Sequence, residues 1–392
     1  MTHLKEYRQA TEITALFLFC ISLFHPILGP YAKSLGLTEF QIGLMFALFP
    51  LTLILTCSTF GSLSDSIGRK KIIILGIIMQ IAGIILYLIG KPYLIIIARF
   101  LEALAFGAVV FVGLAKIQDN LRSKTRGKYS GITLSIMHIG TLIAPVAGGF
   151  LADYWFIKAP FIFSMLALLL MLWLISIHES LNLNHKFTRS DFNIFEKVRM
   201  FFSNKHLRGM GVLGIVMHAS VPLIYIFIPI YIVDHFGLSY RYVGYALFAM
   251  HIFMLFQFFI GSLCDRLSKA KLMLFGVVTF GIFMFFLAWA PTYWFFILGM
   301  FLLGISLAFW NVAAWSFMAD IGAKMKREGF VIGTYISVAK IGSFFSFIFG
   351  GMLAQYYGVP VLMAVIGALV IVGAIAAAFF VIGNHKKGRK KK

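Results

Sequence analysis

The sequence predicts an all-α membrane protein of twelve transmembrane helices arranged in two pseudo-symmetric six-helix bundles. Three observations carry that expectation. Hydrophobic residues fill 61% of the 392 positions and charged residues only 12%, too little polar surface to coat a water-soluble globule of this size. Apolar runs of the roughly 20 residues that a helix needs to cross about 30 Å of hydrocarbon recur along the whole chain. Similar polar loops return about 200 residues apart, so the chain is built twice.

The runs lie in order at 12–32, 43–63, 71–90, 93–116, 128–151, 159–178, 207–232, 242–263, 270–290, 293–318, 329–353 and 359–382. Each is solidly apolar, where the strands of a membrane barrel would alternate. The opening stretch Met1 to Thr11 is polar, and no small-residue cleavage site follows the first run, which therefore reads as a retained span. The expected organisation is a first bundle over 1–180, a cytoplasmic linker over 181–206, a second bundle over 207–383 and a basic tail over 384–392.

A net charge of +20 invites a nucleic-acid reading, but its distribution points to a bilayer. Of the Lys and Arg residues, 27 fall on one side of the predicted spans, while only Lys33, Lys91, Lys158 and Arg241 fall opposite. Cytoplasmic loops retain such residues, so both termini are expected in the cytoplasm of a bacterial inner (plasma) membrane. The tail from Lys386 to Lys392 fits that orientation and contact with anionic lipid, and no nucleic-acid partner is expected. Cys20, Cys57 and Cys264 sit in or at the end of apolar runs and read as packing residues, with no metal-ligand spacing.

The repeat extends beyond the loops. Gly36-Leu37 aligns with Gly237-Leu238, Gly43 with Gly244, Asp119 with Asp320, and Gly140, Gly148 and Gly149 with Gly342, Gly350 and Gly351. Six spans separate equivalent positions, which gives the halves the same orientation, as in parallel repeats about the membrane normal. The chain has no phosphate-binding Gly-rich motif, so carriage is expected and enzymatic catalysis is not.

The first repeated loop runs Gly61-Ser62-Leu63-Ser64-Asp65-Ser66-Ile67-Gly68-Arg69-Lys70-Lys71, and the second keeps Gly261, Leu263 and Asp265 but has Leu267-Ser268 in place of Gly-Arg. Gly61 suits close helix approach, Asp65 can accept backbone donors from a helix start, and Gly68 can take positive φ. The pattern resembles the signature loop of the major facilitator superfamily. That resemblance implies that Asp65 latches onto the start of the eleventh span, near Glu328 to Phe330, and that Arg69 pairs with an acid ending the fourth span, for which Asp119 is the candidate, with Arg126 nearby. Solvated capping of a short turn is the alternative reading of these charges.

In the fifth span, Gly140-Thr141-Leu142-Ile143-Ala144-Pro145-Val146-Ala147-Gly148-Gly149 resembles the superfamily's antiporter motif, with Ala144 replacing one glycine. Small residues four apart form a packing groove and Pro145 removes one backbone hydrogen bond, which together suit a bent hinge. The resemblance implies proton-driven export, commonly of drugs. The plain alternative is helix packing alone.

Ionisable groups inside the bilayer are costly and mark function. Arg99 and Glu102, three apart, share a face of the fourth span and can pair, and Arg99 matches the superfamily's Arg-x-x-Gln-Gly motif. Desolvation favours the protonated form of Glu102 and Arg99 the ionised one, so Glu102 is the candidate proton carrier; a permanent structural ion pair is the alternative. His138 lies roughly 15 Å into the fifth span, and its repeat partner is Lys340. His25, Asn311 and Trp310 complete the expected pathway. The cationic inventory also admits an anionic cargo.

The expected function is thus a proton-coupled secondary transporter working by alternating access, an exporter of amphiphilic small molecules or drugs, with no cofactor beyond the proton. A monomer is expected. The alternatives are a carrier of an anionic metabolite, siderophore or lipid, and a non-transporting receptor on the same fold.

Overall fold

The computed structural model describes residues 2–119, 126–177, 199, 201–325 and 328–381, and no strand occurs among them. The expected linker up to 198 and the whole basic tail fall outside this set. The helices in order are α1 (Thr2–Ser34), α2 (Glu39–Ile67) and α3 (Arg69–Ile89), then α4, which joins Pro92–Phe106, a π-helical turn Gly107–Phe111 and Val112–Asp119. They continue with α5 (Arg126–Tyr154), α6 (Ala159–Ile177) and α7 (Lys205–Asp234). Next come α8, made of Tyr240–Ile252, a 3-10 turn Phe253–Phe256 and Gln257–Arg266, then α9 (Lys269–Leu287) and α10 (Tyr293–Met325). The helical run Glu328–Val381 bends at Gly358, where φ is 84°, and so contains α11 (328–357) and α12 (359–381).

Ten helices are individually long and apolar enough to span a bilayer. One of them, Thr334–Val381, covers both α11 and α12, and α8, interrupted by its 3-10 turn, supplies the remaining span. The twelve-helix expectation therefore holds. The boundary that differs most is the first: α1 starts at Thr2, not near residue 12. The polar opening stretch is helical because it has a packing face, with Tyr7 and Ala10 joining Ile117 and Met137 in a buried cluster and the Tyr7 hydroxyl 2.9 Å from that of Thr133.

Local chemistry sets the helix ends. Thr38 and Gln41 form a reciprocal capping box at the start of α2. Gly68, at φ 99°, turns the chain directly from α2 into α3, and Gly90 closes α3 in the left-handed region before Pro92 opens α4. The repeat survives at this level, since Gly36 and Gly237 both take positive φ just after α1 and α7.

Two compact units result, one of residues 1–190 with 229–248, the other of 191–228 with 249–392. In the first, α1 packs along α5 and α6, and α3 along α4. In the second, α9 packs along α10 and against α12, where Gly281 and Gly367 bring the two backbones together. Side chains such as Phe379 and Trp173, 74% and 60% exposed, present the apolar outer belt that a bilayer covers.

Close contacts in the first unit depend on glycine. A Cβ built on Gly148 would overlap the Leu23 carbonyl of α1, whereas one on Gly261 meets nothing within 4 Å. Gly148→Ala is expected to destabilise the protein by about 1–3 kcal/mol, an overpacking cost, and Gly261→Ala to be neutral or stabilising by up to about 1 kcal/mol. Thermal unfolding of the purified variants in detergent checks the pair, and equal behaviour would refute the packing assignment.

Candidate functional site

In α3, two glycines permit close contact with α4. A Cβ on Gly83 would lie 3.2 Å from the Ala98 carbonyl, and one on Gly76 would lie 3.2 Å from that of Ala105. This approach carries Tyr87 onto α4, where its hydroxyl donates to Glu102 Oε2 at 2.7 Å. Arg99 Nη1 stands 2.8 Å from Glu102 Oε1, and both side chains are sealed, at 3% and 0% exposure. The i,i+3 pairing expected from the sequence is present.

The surroundings of the pair are aromatic. The Arg99 guanidinium carbon lies 4.4 Å from the centroid of Phe46 and 4.5 Å from that of Phe49, so two rings of α2 cover it by cation–π contact. The edge of the same Phe46 ring meets His25 of α1, which also lies within electrostatic reach of Arg99. The Tyr87 ring packs against Phe24 and Phe161.

Polar capacity is left over. Arg99 Nε and Nη1, Glu102 Oε1 and both amide atoms of Gln80 are buried without an aligned hydrogen bond to the protein. Gln80 lies between Gly76 and Gly83 on the face of α3 that meets α4, and such groups are ordinarily satisfied by internal water. The π-helical turn begins at Gly107, more than one helical turn beyond the acid, and π-turns widen a helix locally, often at functional positions. Deeper along α4, fully buried Lys116 pairs with Glu6 of α1 at 2.8 Å, a partner that the sequence reading did not identify.

In the second unit the polar side chains gather on α7 and α11. Lys340 is half-buried and within electrostatic reach of His218. The His218 carbonyl accepts from Ser343, and its ring lies 6.5 Å from that of Tyr335, which in turn lies 6.2 Å from Trp315. His251 of α8 forms a 2.6 Å hydrogen bond with Tyr225 of α7. Asn311 is half-buried. Trp310 is buried at 4% exposure, while Trp315, about a turn and a half further along α10, is 47% exposed. His138, in the first unit, is exposed, with its carbonyl accepting from Thr141.

The antiporter-like segment divides between two neighbours. Gly148 receives α1, as above, and Gly149 receives the first turn of α8, with a built Cβ 2.6 Å from the Tyr240 carbonyl. Reciprocally, a Cβ on Gly244 would lie 2.8 Å from the Pro145 carbonyl. Ala144 is fully buried, and Gly140 makes looser contact with Phe19 and Ala15.

Of the loop residues, Gly68 takes the positive φ expected of it and Arg69 is buried. The side chains at Gly61, Asp65, Asp119, Arg126 and Asp265 lie outside the described set. The second repeat is described more fully, and there Lys269 binds Asp320 at 2.7 Å. Lys269 and Asp320 occupy the repeat positions of Arg69 and Asp119, so the second loop retains a cation–carboxylate tie without the Gly-Arg sequence.

Comparison with known proteins agrees with this architecture. The chain is 26% identical over 351 residues to an uncharacterized MFS-type transporter of Methanocaldococcus jannaschii, covering 86% of this chain and 88% of that one. It is 24% identical over 352 residues to the quinolone resistance protein NorA of Staphylococcus aureus, covering 88% and 89%. The crystal structure of a D-xylose-proton symporter superposes with a TM-score of 0.74 at 15% identity, over 96% of this chain and 98% of that one, a likeness of fold. The profile of the Major Facilitator Superfamily matches residues 13–256 and 246–392, and the chain, an integral membrane transporter by fold and descent, belongs to that family.

Proposed function

We propose that this transporter is a proton-coupled exporter of amphiphilic small molecules, acting as a monomer by alternating access with its termini in the cytoplasm. The observation that carries the reading is the sealed cluster of Arg99, Glu102 and Tyr87. An ionised carboxylate at this depth is tolerable only beside its guanidinium, and protonation frees the pair to separate. A group whose charge state is tied to helix contacts can convert proton binding into movement. The similarity to NorA, a quinolone resistance protein by name, supports export of drug-like cargo.

The antiporter-like segment is the proposed hinge, since Gly148 and Gly149 hold α5 against two different helices. Asp65 is the proposed inner latch, and Gly61, Gly68, Arg69, Asp119, Arg126 and Asp265 its supports. His25, His138, Lys340, Asn311 and Trp310 are proposed for the substrate and proton route.

A second reading, a carrier of organic anions, is favoured by Lys340 of α11 lying within electrostatic reach of His218 of α7. In proteoliposomes, Lys340→Ala is expected to lower cation efflux by about threefold or more without abolishing it; loss of anion transport, with cation flux never detected in the parent, would establish the anion carrier instead.

Two further outcomes test the main reading. Glu102→Gln keeps an acceptor for Tyr87 but cannot ionise; substrate binding is expected to lose its pH dependence and uphill efflux to fall at least about tenfold. Because leaving Arg99 unpaired costs about 3–5 kcal/mol, thermal unfolding is measured alongside, and a folded variant with the parent's pH profile removes Glu102 as the carrier. Asp65→Asn is expected to slow conformational exchange without unfolding; unchanged exchange, followed by spin-label distances, removes the latch assignment.

A further inference from the structure

We infer that Asp153 is a latch that holds the hairpin 229–248 onto the ends of α1 and α5, and that its release is a step of the transport cycle. Asp153 is at the end of α5, with a side chain only 11% exposed. Its Oδ1 accepts the backbone N–H of Tyr240 at 2.7 Å and its Oδ2 that of Arg241 at 3.0 Å. These are the first two residues of α8. Both carboxylate oxygens thus occupy a helix start, where unsatisfied N–H groups and the positive end of the helix dipole favour an anion.

The bonding is to backbone, which distinguishes this contact from an ordinary surface pair. Arg241 Nε is 3.8 Å from the carboxylate, too far for a hydrogen bond, and the guanidinium lies instead over the Tyr242 ring at 5.2 Å. Around the latch the fit is tight. Gly149 and Gly244 let α5 and α8 meet backbone to backbone, and the Phe150 ring contacts Tyr245. On the rim, Lys33 of α1 binds Asp234 at the end of α7 and Glu39 at the start of α2, each at 2.5 Å. Those rim charges are partly exposed and screened, so the half-buried backbone cap is the stronger tie.

Why this contact opens follows from what it joins. The hairpin 229–248 belongs to the first compact unit, yet it is covalently part of α7 and α8, whose remaining lengths belong to the second. The hairpin is thus the part of α7 and α8 that the first unit holds, and any movement that returns it to the rest of those two helices has to break the cap on Tyr240 and Arg241. Within each half, spans one to three and four to six are inverted counterparts, which makes the ends of α2 and α5 equivalent. Asp153 therefore ends α5 as Asp65 ends α2, at opposite faces of the protein.

The latch rests on the alternating-access part of the proposed function and on neither its coupling ion nor its cargo. Its test uses a single reporter, Val243→Cys, in the full chain with Cys20, Cys57 and Cys264 replaced by alanine, in lipid nanodiscs where both faces are open to reagent. Val243, in the first turn of α8, is 1% exposed. Its labelling by a water-soluble maleimide is expected to accelerate about tenfold on Asp153→Ala, and by an intermediate factor on Asp153→Asn, which stays uncharged but keeps one acceptor.

A backbone substitution separates the cap from side-chain effects. Tyr240→Pro removes one donated N–H at a first helical position that proline tolerates, and is expected to match Asp153→Ala, whereas Tyr240→Phe and Arg241→Ala should label as the parent does. Parent-like labelling of folded Asp153→Ala or Tyr240→Pro overturns the latch. Equal acceleration by Arg241→Ala overturns it as well, because the tie would then be an ion pair. Should alanine at 153 fail to fold, the asparagine and proline variants decide alone. Because no proton gradient or substrate is present, a negative result here leaves the proposed coupling untouched.

Discussion

The first unit is arranged around one buried contact, the approach of Arg99 to Glu102 beneath Tyr87. Removing two charges from water costs several kcal/mol each, and the surrounding residues offset this in distinct ways. Gly76 and Gly83 shorten the distance between α3 and α4 so that a tyrosine hydroxyl reaches the carboxylate. Phe46 and Phe49 turn their faces, not their edges, to the guanidinium. The contact is close but imperfectly aligned, since Arg99 Nη1 and Glu102 Oε1 lack a well-directed hydrogen bond. The charges are therefore held by proximity and by the surrounding rings more than by a well-directed hydrogen bond between them.

The contrast with Lys33 is instructive. Lys33 has two carboxylate partners at 2.5 Å, yet its side chain is 35% exposed and its attraction is screened by water and salt. Arg99 has one carboxylate among the described ion pairs and little exposure, so each change in that carboxylate's charge is felt at low dielectric. Partner count is therefore a poor guide to which charges govern the protein, and burial is the better one.

Much of the fold was legible because membrane helices obey strong constraints. Apolar length, the 200-residue repeat and the glycines at 36, 68 and 237 specified spans and turns, and the three-residue spacing of Arg99 and Glu102 specified their pairing. Contacts between helices were not legible. Tyr87, Phe46 and Phe49 are ordinary apolar-run residues in sequence, and only packing turns them toward α4. Asp153 and Glu6 lie near span ends, where an acid reads as solvated, and their partners come from distant helices. One contact could have been drawn from the repeat itself. Arg69 and Asp119 shift onto Lys269 and Asp320, which are bonded, but the loss of the Gly-Arg sequence drew attention away from the second loop's cation.

The repeat is equal in architecture and unequal in chemistry, and the inequality bears on mechanism. In α5 the tight glycine is Gly148 and Gly140 is loose, whereas in α11 Gly342 would overlap the Ile215 carbonyl and Gly350 stands off at 3.0 Å from Leu223. The bend-forming Pro145 has Phe347 as its counterpart. The deep carboxylate belongs to the first unit, while Lys340 and His218 belong to the second. A proton carrier with 0% exposure cannot exchange its proton in the arrangement described. The proposed coupling therefore requires that the α3–α4 contact loosen, and the unsatisfied amide of Gln80 on the face of α3 that meets α4 is where water would enter when it does. Alternating access and proton exchange would then be the same movement, seen once from the helix ends and once from Glu102.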